Sequence, residues 1–128
     1  MFRTPQVILF SEDVTRAAAF YAKLGFSETF RVPIEGEPIH VDLALDGYPI
    51  GIASVASTRD DHGLEPVPSG QRAAVILWTD DTAAAYEKIT ADGAPALKAP
   101  HTWLGRLLIA WTADPDGNPI QIVQHLPT

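Results

Sequence analysis

The chain has 128 residues, a length that suits one domain with one sizeable core. Its formal net charge of -7 denies it the basic surface that nucleic acid or an anionic membrane would need. It contains no cysteine, which excludes disulfides, thiolate zinc sites and a cysteine nucleophile.

The opening apolar run is "VILF" (7–10), too short for a signal-peptide core, and no later segment approaches a membrane span, so a cytoplasmic protein is expected. "VILF" reads as a strand ending at "SED". A helix is predicted from Val14 to Leu24, because Ala17, Phe20, Tyr21 and Leu24 recur at the spacing of one buried stripe. Asp13 suits its N-cap and Gly25 its stop. Strands are predicted over 26–32, 39–45 and 49–57, the last two joined by Asp46-Gly47, a two-residue hairpin signal. The polar stretch 58–72, with its Pro and Gly, reads as a connector.

The pattern then returns. "VILWTDD" (75–81) matches "VILFSED" (7–13), and "AAAYEKI" (83–89) echoes "AAAFYAKL" (17–24). Strands are predicted over 94–100, 105–112 and 119–124. Before the last of these, "DPDG" (114–117) fits a type I turn with Asp, Pro and Gly at their favoured positions. The expected fold is α+β, two βαβββ modules: 1–57, then the connector, then 73–128. A helix would cover one face of each sheet, the other face needs cover from the second half or from a partner chain, and two curved sheets facing each other would make a concave pocket, a natural small-ligand site.

"FYAKLGF" (20–26) together with "DPDGN" (114–118) resembles the vicinal oxygen chelate superfamily, which includes glyoxalase I, extradiol dioxygenases, fosfomycin-resistance enzymes and bleomycin-resistance proteins. The resemblance implies curved mixed sheets, ligand clefts and a homodimer. Metal-using members carry ligands at four places, which fall here at Gln6, Gly51, Ala74 and Gln121. Gly and Ala bring no side-chain donor, and nothing in the set supplies imidazole or negative charge. The resemblance therefore points to the metal-free, bleomycin-resistance-like branch, with no cofactor and no catalytic residue.

Side chains alternate along a strand, so a cleft-facing Gln6 carries Phe10 with it, and Trp78 follows by the repeat. Gln121 would face the cleft with Pro119 and Val123, while Ile120 and Ile122 face the helix. His40 and Asp42 would lie opposite Val41, Leu43 and Leu45, either in the cleft or at a solvated strand end. Trp103 falls in the predicted loop "HTWLG" (101–105), with His101 beside it. Trp111 reads as core, and His62 and His125 as solvated. The expected ligand-binding set is Gln6, Phe10, His40, Trp78, Trp103 and Gln121. The aromatics would stack on a small aromatic or cationic molecule and the polar groups would orient it, although Trp78 would equally suit a core or dimer contact. The alternative is a glyoxalase-like lyase or isomerase with a non-standard site, using His40, Asp42 or His101 as acid or base.

Overall fold

The computed structural model describes residues 1, 3–67 and 73–127. They fall into two compact units, Met1–Ser69 and Gly70–Thr128.

The first unit runs β1 (Val7–Ser11), α1 (Val14–Lys23), β2 (Ser27–Val32), β3 (His40–Leu45), β4 (Tyr48–Ser54) and α2 (Val55–His62). Its sheet has the order β1-β4-β3-β2, with β1 parallel to β4 and the other pairs antiparallel. Asp13 caps α1 by accepting from the Arg16 N–H at 3.0 Å. Val14, Ala17, Ala18 and Tyr21 form the buried stripe of α1. Tyr21 is wholly buried and meets Phe20 and Phe26 edge-on. Beneath the helix lie Leu9, Val41, Leu43 and Ile52, also buried. Burial on this scale contributes roughly 1.5–3 kcal/mol for each large apolar side chain. The β3–β4 hairpin turns at Asp46-Gly47, both at positive φ as a type I′ turn requires.

The strand predicted over 49–57 is shorter than expected. It stops at Ser54, and residues 55–62 form a helix where the sequence suggests a strand end and then a connector. Ser54 accepts from the Ser57 N–H at 3.1 Å, and Gly63 closes α2 in the left-handed region. Part of the predicted connector, 68–72, lies outside the described residues.

The second unit runs β5 (Val75–Trp78), α3 (Thr82–Ala91), β6 (Lys98–Trp103), β7 (Leu107–Ala113) and β8 (Pro119–His125). Its sheet order is β5-β8-β7-β6, again with the first pair parallel. The chain is thus two βαβββ modules of the α+β class. The "DPDG" turn forms as expected: the Gly117 N–H donates to the Asp114 carbonyl at 3.0 Å. The buried Asp114 carboxylate also accepts from the N–H groups of Asp116 and Asn118 and from the Asn118 amide. The strand predicted over 94–100 is displaced to 98–103. Pro100 cannot donate to the ladder, and the register shifts between Lys98 and His101. Residues before Lys98 are instead tied to β7 by single bonds, Leu97 N–H to the Trp111 carbonyl and Thr112 Oγ1 to the Pro95 carbonyl. No helix among the described residues is long and apolar enough to cross a membrane.

Candidate functional site: a polar cluster and groove on the first sheet

Strand register fixes which side chains share the face of the first sheet opposite α1. One row crosses the sheet as Ile8, Gly51, Asp42 and Phe30, and the next as Phe10, Ala53, His40 and Val32. Gln6 joins them by reaching Asp42: its Nε2 donates to Asp42 Oδ1 at 2.8 Å. His40 Nε2 lies 2.6 Å from the same oxygen. A carboxylate only accepts, so its partner nitrogen carries the proton, and the Nδ1 of His40 is left as the acceptor of the neutral ring. Nδ1 makes no hydrogen bond to a described residue.

Gly51 makes room for this cluster. A Cβ there would lie 3.1 Å from Asp42 Oδ1, 3.2 Å from Gln6 Nε2 and 3.2 Å from Ile8 Cγ1. Beside the cluster an open groove of about 300 Å³ runs between the sheet and α2. Phe30, Val32, Ile39 and Ala53 make its apolar wall and His40 its polar end. Ser57, Thr58, Asp61 and His62 of α2 form the opposite side. Phe30 presents its ring edge-on to His40, with centroids 6.2 Å apart, and is 53% exposed.

Of the expected binding residues, Gln6, Phe10 and His40 therefore share one face of the first sheet, with Gln6 and His40 joined through Asp42. Phe10 flanks Ala53 outside the groove lining. Phe30 and the α2 residues were not anticipated. His62, expected to be solvated in a connector, is exposed but lines the groove. The signal for α2 was local: a Ser N-cap at 54 and a Gly stop at 63.

Trp78, Trp103 and Gln121 lie on one face of the second sheet. Ile76 pairs with Gln121 and Trp78 with Val123, and Trp111 also stands opposite Gln121. Ile120 and Ile122 are buried, as expected for the face under α3. Val123, expected to line a cleft, is itself covered, at 1% exposure. Trp103 is not in a loop but ends β6, where Leu104 and Gly105 turn the chain at positive φ. His101 sits in β6 with Nδ1 2.9 Å from the Ala99 carbonyl oxygen. His125, expected to be solvated, stacks on Trp78 with ring centroids 4.6 Å apart. Trp78, Thr79, Asp80 and His125 line a second open depression of about 490 Å³. Gln121 hydrogen-bonds no described residue.

The four positions that the resemblance assigns to metal ligands do not fit a divalent cation. Gly51 and Ala74 have no donor, and the Gln6 amide is engaged with Asp42. Among the described residues no group of three or more His, Cys, Asp or Glu side chains is arranged to hold a metal ion.

The fold is shared widely. A hypothetical protein from S. aureus superposes with a TM-score of 0.80 at 15% identity, covering 97% of this chain and 94% of that one. TioX from Micromonospora sp. ML1 gives 0.76 at 23% identity, covering 94% and 97%. A lactoylglutathione lyase from Agrobacterium tumefaciens gives 0.70 at 16% identity, covering 95% and 92%. No curated protein matches the sequence. The family model for the glyoxalase, bleomycin resistance protein and dioxygenase group matches residues 3–122, and with both βαβββ modules in place the chain belongs to the Glyoxalase/Bleomycin resistance protein/Dioxygenase superfamily.

Proposed function

We propose that the chain is a small-molecule binding protein that holds an aromatic compound in the groove of its first module without a metal ion. The carrying observation is the groove itself: exposed Phe30 and Val32 beside a convergent polar cluster, Gln6, Asp42 and His40. An apolar surface left open around a few oriented polar groups is the usual make-up of a ligand site. The unfit donor set at Gln6, Gly51, Ala74 and Gln121 supports a site that works without a metal. Exposed Ile8 and Phe10 on the first sheet, and Ile76 and Trp78 on the second, support assembly as a homodimer.

The test is calorimetric titration with nitrobenzene and larger neutral aromatics, beside elemental analysis of protein purified without a metal-affinity tag. Saturable binding that is lost in Ala53→Leu, which fills the groove floor, is expected. Stoichiometric divalent metal, or binding indifferent to Ala53→Leu, overturns the reading. Light scattering checks the homodimer, and a monomeric mass removes it.

The second reading is a glyoxalase-like lyase or isomerase. The His40–Asp42 pair favours it, since a carboxylate-held imidazole is a competent acid or base. Turnover of a carbonyl substrate, abolished by His40→Gln, would decide for it.

A further inference from the structure

We propose that the groove selects phenol-like weak acids, whose hydroxyl donates to His40 Nδ1 and passes its proton to that nitrogen. This rests on the proposed binding function and names the ligand class for the same site. Asp42 fixes Nε2 as the protonated nitrogen, so the ring nitrogen left to a ligand is an acceptor. A neutral ligand that only accepts hydrogen bonds finds no complement there, whereas an O–H does. The Gln6 Nε2 donates to the same carboxylate oxygen and holds it in place. The Asp42 carboxylate, 2.6 Å from Nε2, holds the ring in place while the proton arrives at Nδ1. The step balances: the O–H bond breaks, its electron pair stays on the phenolate oxygen, and the proton forms an N–H bond at His40. Nothing leaves and no co-reactant is needed.

The ligand's ring has its place as well. Phe30 meets His40 edge-on and stands half-exposed, with Val32 and Ile39 beside it. A single ring set against these side chains brings a hydroxyl on its rim to the imidazole end of the groove.

The probe is para-nitrophenol, whose phenolate absorbs in the visible and whose phenol does not. Nitrobenzene serves as the control that lacks the hydroxyl. The expected result is tighter binding of para-nitrophenol than of nitrobenzene, with the phenolate band enhanced in the bound state. His40→Gln should remove the enhancement and weaken para-nitrophenol binding roughly tenfold, a typical loss for one charge-assisted hydrogen bond. The readout is the ratio of the two affinities, which should fall by the same factor, because nitrobenzene has no hydroxyl to donate to the ring. Asp42→Asn should reduce the phenolate band of bound para-nitrophenol, because it removes the charge and keeps the shape. Equal affinities for the two probes, or a phenolate band that survives His40→Gln, overturn the proposal and leave the binding reading standing. If neither probe binds, both readings fall.

Discussion

The two modules share a topology and a register, yet equivalent positions carry opposite chemistry. The register places Gly51 and Gln121 at one equivalent position, and Ala53 and Val123 at another. Asp42 then corresponds to Trp111, and His40 to Ile109. The first module has small residues on the inner strand and polar groups beside them. The second has larger residues on the inner strand and apolar groups beside them. A groove and a hydrogen-bonded cluster result on one sheet, and a covered Val123 with an aromatic stack on the other. The helices differ as well. Counted from their Asp caps, the buried positions Val14, Ala17, Ala18 and Tyr21 of α1 become Thr82, Ala85, Tyr86 and Ile89 in α3, of which Thr82 alone is buried. The two copies share a scaffold, and side-chain size at a few register positions decides where each is open.

The largest effect is expected where the helices differ. Tyr21→Ala empties a fully buried aromatic site and should cost about 3–5 kcal/mol in denaturant unfolding. Ile89→Ala, at the corresponding but half-exposed position, should cost less than half as much. Equal costs would break the comparison. Asp114→Ala strips the acceptor from three hydrogen bonds in a buried turn and should cost about 2–4 kcal/mol, since the N–H groups of Asp116 and Asn118 lose their partner. The register comparison is sharpened by exchange. Gly51→Gln places the second module's residue in the first, and crowding should cost about 1–3 kcal/mol and abolish aromatic binding in the groove. Gln121→Gly should leave that binding unchanged in the same calorimetric titration.

The smallest effect concerns β2. The hydrogen bond from Arg31 holds the Glu28 carboxyl below its ordinary value, against a smaller opposing effect of burial. A depressed carboxyl stabilises the fold above its unfolded value, and that contribution fades as pH falls through the lowered one. Thermal melts of Glu28→Gln should therefore differ slightly from the parent near neutrality and converge with it in strong acid. A difference that widened in acid would reverse the sign.

Much of the fold was readable in the sequence. Alternation put Gln6, Phe10 and His40 on one face, the caps located α1 and the repeat located α3, and the Asp46-Gly47 and Asp114–Gly117 turns lie where their residues demand. The groove was not readable. Its far wall is α2, which buries only Val55 and Thr58 and so leaves almost no periodic signal in "VASTRDDH". Its near wall includes Phe30, on an outer strand whose side chains are mostly exposed. The displacement of β6 left no such signal, since Pro100 lies inside the observed strand, where the register shifts between Lys98 and His101. Neither Gln6 nor His40 announced Asp42 as their common partner, because that meeting depends on β1 and β3 flanking β4 at Gly51.

The three tryptophans, Trp78, Trp103 and Trp111, all belong to the second unit. The first unit absorbs through Tyr21 and Tyr48 and its phenylalanines alone. The chain therefore carries its own optical label on one half. Excited at the red edge of the near-ultraviolet, it emits only from the module without the groove. Loss of structure in that module is visible by emission while the groove-bearing module stays dark, and any delay between emission and far-ultraviolet dichroism during unfolding measures how independently the two copies hold together.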